Sequence, residues 1–156
     1  MTREAYVAAA RARAELLYLG EQVAHRSCGI ALAETFGVPS RSYQALRKGG
    51  LTGEGACGAL QAGVLVLGEL LGDPEPTGGP TAALKEGVVK YRAAVASQVS
   101  GPVDASCNTR TAPFPEFGGR PRLLACTALA VTAAGEVAGV LWDLGRAVSI
   151  PEAPSR

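Results

Sequence analysis

LTGEGACGALQAGVLVLGELLG, residues 51–72, sets a glycine-rich turn against a cysteine and then against an apolar run. Thr52, Gly53, Glu54 and Gly55 do not support a helix, because glycine loses the most backbone freedom on ordering and threonine prefers a cap. From Ala56 the pattern changes. Ala56, Leu60, Val64, Leu67 and Leu71 recur at intervals of three and four, the spacing that lines one face of an α-helix. Cys57, Gln61, Gly68 and Gly72 form the neighbouring line, so the spacing predicts Cys57 in the first turn of a largely buried helix. Gly58 beside it leaves room for another backbone. Free N–H groups and the positive end of the helix dipole favour the thiolate there. A small core residue accounts for the same cysteine with no chemistry at all, since free cysteine is among the most buried residue types.

Around this stretch, 156 residues are enough for one domain with a real core. Fifteen basic residues against 14 acidic ones give a net charge of +1, which predicts neither a nucleic-acid surface nor an acidic tail. Aromatic residues are scarce at 5%, and alanine, leucine, valine and 20 glycines dominate; such small side chains let helices approach closely. No run alternates with period two. The expected fold class is all-α: a compact bundle of about five helices with a glycine-rich loop before the central one. A single helical domain is expected over residues 1–148, followed by a flexible tail over 149–156.

Two segments bear on the membrane. The start, MTREAYVAAARARAELL, places Arg3, Glu4, Arg11, Arg13 and Glu15 where a signal peptide needs an uninterrupted apolar core. Residues 123–142, LLACTALAVTAAGEVAGVLW, are long enough to span a bilayer. Glu136 argues against that, since an acid at mid-helix costs about 2.5–3.5 kcal/mol on insertion scales. The segment is therefore expected to be a central helix of a soluble, cytoplasmic bundle. In that reducing compartment four cysteines point to a metal site, a redox pair or inert core thiols rather than to a disulfide framework.

Along the chain, Thr2 is the expected cap of a first helix whose buried stripe carries Tyr6, Ala10 and Leu17; Arg13 falls inside the apolar arc with its stem over the core. Ser27 is the expected cap of a short helix opening at Cys28 and stopped by Gly37. His25, the only histidine, reads as a solvated junction residue because no second histidine or carboxylate cluster accompanies it. Ser40 is the expected cap of a short helix through Tyr43, Leu46 and Arg47. Lys48–Gly55 then form a glycine-rich loop before a helix start, a ready anion cradle without the ending of a phosphate-binding loop. Gly55 and Gly58 are the candidate positions at which backbone approaches a bound group. Residues 73–80 break the chain, Thr81 starts a helix, Cys107 is expected in an irregular loop, and Cys126 points into the bundle near the start of the last helix.

No two cysteines have C-x-x-C spacing, which removes the thioredoxin, zinc-ribbon, haem-attachment and common ferredoxin patterns. A site assembled in three dimensions remains open, if the helix starts carrying Cys28, Cys57 and Cys126 and the loop carrying Cys107 lie at one end of the bundle.

Ser27-Cys28 before a helix ending Glu34-Thr35-Phe36-Gly37, the glycine-rich loop into Cys57-Gly58-Ala59, Cys107-Asn108-Thr109-Arg110 and finally Cys126 form an ordered set from about Ser27 to Val140. In this the chain resembles a family of bacterial and archaeal redox-active proteins defined by four cysteines in the pattern C…C-G-A-x-x-G…C…C. One departure is plain: the last glycine of C-G-A-x-x-G falls at Ala62, with Gly63 one place later. The resemblance implies redox activity carried by the cysteines, and for some relatives an iron–sulfur cluster in electron transfer.

Three readings stay open. In the first, Cys28, Cys57, Cys107 and Cys126 bind a [2Fe–2S] cluster or another thiophilic metal and exchange electrons with a redox partner protein. In the second, Cys57, as nucleophile, and Cys28 serve thiol/disulfide exchange without any metal. In the third, the cysteines are inert in a structural bundle able to pair as a homodimer.

Overall fold

The computed structural model describes residues 1–152, in which every regular element is helical and no strand forms. The described residues hold seven α-helices: α1 Arg3–Leu19, α2 Cys28–Thr35, α3 Arg47–Gly50, α4 Gly58–Leu71, α5 Ala82–Ala96, α6 Cys107–Thr111 and α7 Arg120–Asp143. The all-α bundle is as expected, but the count exceeds five. Two of the seven, α3 and α6, are single turns too short to display a hydrophobic period. Residues Arg41–Leu46, expected as a capped α-helix, form a 3₁₀ helix instead, and Ser40 makes no side-chain cap.

The longest helix, α7, lies along α1, and small residues set how closely. Ala10 and Ala14 of α1 and Ala130, Ala133, Ala134 and Ala138 of α7 are fully buried. A Cβ added at Gly135 would stand 2.2 Å from Arg11 Nε, and one at Gly139 would stand 2.8 Å from Arg3 Nη2. The two glycines thus let the arginines of α1 lie across α7. Arg3 reaches Asp143 at 2.8 Å and Arg11 reaches Glu136 at 3.5 Å, while Gln98, just past α5, donates to Glu136 at 2.6 Å. The acid inside the apolar run therefore binds three segments together. By length and composition α7 could cross a membrane, yet half of its most apolar window is buried against the rest of the chain, as in the central helix of a bundle.

Helix α4 is clamped by α5. Tyr91, buried, passes over Gly63 and donates its hydroxyl to the Leu60 carbonyl at 2.9 Å. A Cβ at Gly63 would fall 2.1 Å from that hydroxyl. This accounts physically for a glycine at 63 rather than 62. Thr2 caps α1 as expected, accepting the Ala5 N–H, and Thr81 caps α5 by accepting from Leu84. After α7 the chain runs back along α1: Val148 N–H donates to Tyr6, Ile150 packs on the core, and Arg13 donates to the Glu152 carbonyl at 2.9 Å. Residues 149–152 of the expected tail are thus held; 153–156 lie outside the described residues.

Candidate functional site

The site begins with an unusual turn. Lys48, Gly49, Gly50 and Leu51 all have positive φ, at 47°, 58°, 71° and 70°, and the Leu51 N–H closes onto the Arg47 carbonyl at 2.6 Å. This single left-handed turn is permitted by its two glycines, while Lys48 and Leu51 carry the steric penalty of a Cβ in that region. The turn folds back on the loop before α4. Gly55 N–H donates to Gly49 O at 3.0 Å, Cys107 N–H to Gly55 O at 2.8 Å and Asn108 N–H to Gly53 O at 2.8 Å, and Ala56 pairs with Ser106 in an isolated antiparallel bridge. Cys57 and Cys107, remote in sequence, each follow one member of that bridge.

Cys107 is not in an irregular loop as expected: it opens α6, whose cap is Ser106, accepting from the Thr109 N–H. Cys28 opens α2, and Cys57 sits at the boundary before Gly58. Ser27 precedes α2 but makes no cap bond, and its hydroxyl is buried without a protein partner. Cys28 Sγ packs on Gly58, the residue after Cys57, where an added Cβ would lie 2.6 Å from that sulfur and 2.4 Å from the Leu46 carbonyl. Gly58 and Gly55 are both used for close backbone approach: Gly55 has each of its backbone polar groups bonded within the loop, to Gly49 and Cys107.

Cys126, in the second turn of α7, connects the rest. It is near enough to Cys28, Cys57, Cys107 and the hydroxyl of Tyr18 to add to the cost of ionising each of them. All four cysteines are free; Cys57 is buried and the others are half-buried. Burial, with the charge of Cys57 next, pushes the Cys28 thiol up to about 12. Burial also raises Cys57, against the Leu60 and Ala59 N–H groups that favour its thiolate. This corrects the expectation that the helix start would make Cys57 a ready thiolate: removal from water outweighs the local N–H groups. Cys107 is raised by burial and then by Cys126, with Arg122 and Lys48 opposing. Without a metal, the ionisation of Cys28, Cys57 and Cys107 is opposed first by burial and then by neighbouring sulfurs.

Tyr18, Arg122 and Lys48 neighbour the thiols, with Phe117 against the two cations, and none of the four was among the candidates drawn from sequence. Burial raises the Tyr18 hydroxyl, with Cys126 and Cys28 adding to it, and Arg122 Nη1 donates to that hydroxyl at 3.2 Å. Arg122 lies one helical turn before Cys126, a spacing that marks it as a neighbour. Tyr18 carries no such signal. His25 sits edge-on to the Tyr18 ring, its Nδ1 on the Tyr18 carbonyl.

Among the described residues, no three His, Cys, Asp or Glu side chains are drawn together as a finished metal-ligand set. By donor chemistry the four soft, sheltered sulfurs fit a thiophilic metal; by spacing they stand short of a closed site. Comparison with protein-family models, curated proteins and solved structures finds no match to this chain.

Proposed function

We propose that Cys28, Cys57, Cys107 and Cys126 form one redox-active site that binds a [2Fe–2S] cluster or another thiophilic metal for electron transfer with a partner protein in the cytoplasm. The observation that carries this reading is the convergence of backbone around the thiols: Cys28 Sγ packs on Gly58 beside Cys57, Gly49 packs on Cys107, and Cys107 N–H donates to the Gly55 carbonyl in the loop before α4. Four thiolates are the ligand number of such clusters, which supply one-electron transfer when bound. Buried thiols that oppose each other's ionisation are relieved by a cation, and binding releases their protons. The glycines at 49, 55 and 58 contribute by letting three segments touch where side chains would hold them apart. Because no three ligands stand ready, the thiols must draw together as the group enters.

Anaerobic purification and reconstitution with iron and sulfide tests this. Visible absorption with iron and sulfide bound in stoichiometric amounts, lost in Cys126→Ser, is expected. A folded protein that takes up neither iron nor zinc overturns it.

A second reading is favoured by one observation, the meeting of Cys28 Sγ with the Gly58 backbone next to Cys57. In it Cys57 is the nucleophile: the two thiols pass two electrons and two protons to a partner disulfide and close on each other. Mild oxidation of metal-free protein followed by peptide mass mapping should then find one dominant Cys28–Cys57 bond, and scrambled pairing would exclude it.

A further inference from the structure

The cations beside Cys107 have no structural ion pair to explain them. Phe117, 43% exposed, lies between Lys48, whose Nζ is 5.1 Å from the ring centroid, and Arg122, whose guanidinium carbon is 4.4 Å from it. Arg122 also donates through Nε to the Phe117 carbonyl, so ring and guanidinium are held as a unit. Neither cation has a carboxylate within ion-pair distance among the described residues. Glu116, next to Phe117 in sequence, turns towards Gly119, whose added Cβ would meet its side chain. Lys48 is brought here by the strained left-handed turn, and the same turn seats Gly49 on Cys107, where an added Cβ would stand 2.8 Å from Cys107 Cβ. Both cations act on the Cys107 sulfur.

We propose that Cys107 is the contact thiol of the site and that Lys48, Phe117 and Arg122 form its recognition corner for a negatively charged redox reactant. This rests on the reading that the four thiols are redox-active. An anion approaching Cys107 gains from both cations, which the Phe117 ring holds close to each other.

The test uses reduced, metal-free full-length protein and three disulfide probes: the dianionic bis(3-carboxy-4-nitrophenyl) disulfide, the neutral 4,4′-dipyridyl disulfide and dicationic cystamine. In each case the Cys107 thiolate attacks one probe sulfur, the probe S–S bond breaks, a mixed disulfide forms and the second probe half leaves as a thiolate. Peptide mass mapping at short times identifies the cysteine modified. Cys107 is expected first, and the rate ratio of dianionic to neutral probe should fall by about threefold or more between low and high salt, as screening requires. Lys48→Gln and Arg122→Gln should each reduce that ratio several-fold, Arg122→Lys should largely retain it, and the distant Lys85→Gln should leave it unchanged. Lys48→Gln touches no buried group and so keeps the test valid if Arg122→Gln fails to fold. Modification of another cysteine first, equal ratios for dianion and dication, or no effect of Lys48→Gln overturns the proposal. Iron and zinc uptake by Lys48→Gln, expected to match wild type, is measured in parallel, so that failure of metal binding is told apart from failure of the anion preference.

Discussion

Cys28 Sγ fills the space in which a side chain at Gly58 would begin, 2.6 Å from the position of an added Cβ. The same Cβ would stand 2.4 Å from the Leu46 carbonyl, so Gly58 is closed on both sides, by a thiol and by backbone. One glycine thereby couples the packing of α2, α4 and the 3₁₀ segment to the thiol site.

Gly58→Ala should destabilise the protein by about 1–3 kcal/mol, the usual cost of forcing a methyl into filled space, even though alanine is the better helix former by about 1 kcal/mol. Because the displaced atoms include a candidate ligand, metal uptake should weaken more than in a control of equal stability loss. Urea unfolding with zinc titration reads both; unchanged stability and uptake would show that the segment can shift freely.

Gly63→Ala sets the same two effects against each other at a different place. The added methyl would meet the hydroxyl and ring of buried Tyr91 at 2.1–2.8 Å, and a ring clamped at 2% exposure cannot give way cheaply. A loss of about 1–3 kcal/mol is expected. Tyr91→Phe, which removes the hydrogen bond to Leu60 O and leaves no buried donor unpaired, should cost only about 0.5–1.5 kcal/mol. Denaturation midpoints of the two variants should therefore fall in that order.

Leu51→Gly should do the opposite of most glycine substitutions. Leu51 has φ 70° and is 66% exposed, so its side chain contributes little packing while its Cβ strains the backbone. Relief of about 1–2 kcal/mol exceeds the roughly 0.5–1 kcal/mol that glycine's extra freedom in the unfolded chain takes back. A small rise in the urea midpoint is expected, and a clear fall would mean that Leu51 packs more than its exposure indicates.

Alkaline pH should loosen the metal-free protein. Cys28 goes from the ordinary value of 9.0 to about 12 in the folded state, so between these values the native protein holds a proton that the unfolded chain has released. Stability from this group is complete below pH 9 and is lost as pH rises towards 12. Thermal midpoints of the reduced protein should begin to fall near pH 9 and keep falling towards pH 12. Cys57→Ser should bring Cys28 alkylation to lower pH by more than Cys107→Ser does, since Cys57 is the larger charge effect on it. It should not restore the ordinary value, because burial is larger still.

The helices that could be read in advance are those with enough turns to repeat. Tyr6 and Leu17 in α1, Leu60 and Leu67 in α4, Tyr91 and Val95 in α5 and Ala130 and Val137 in α7 are all buried as their spacing predicts. Cap residues with a side-chain oxygen, Thr2 and Thr81, mark two of the starts correctly. Single turns such as α3 and α6 escape, since one turn has no period, and the left-handed course of residues 48–51 escapes because only its glycines advertise it.

The sequence by itself determined an all-helical chain, the placing of three cysteines at or near helix starts and the small residues along α7, because each of these depends on neighbours within a few positions. Only the tertiary structure decided that Cys107 joins them through the Ala56–Ser106 bridge, that Cys28 packs on Gly58 and that burial overrides the helix start at Cys57. Desolvation and the approach of remote sulfurs are properties of what surrounds a residue in space, and chain order carries no record of them until distant segments have packed.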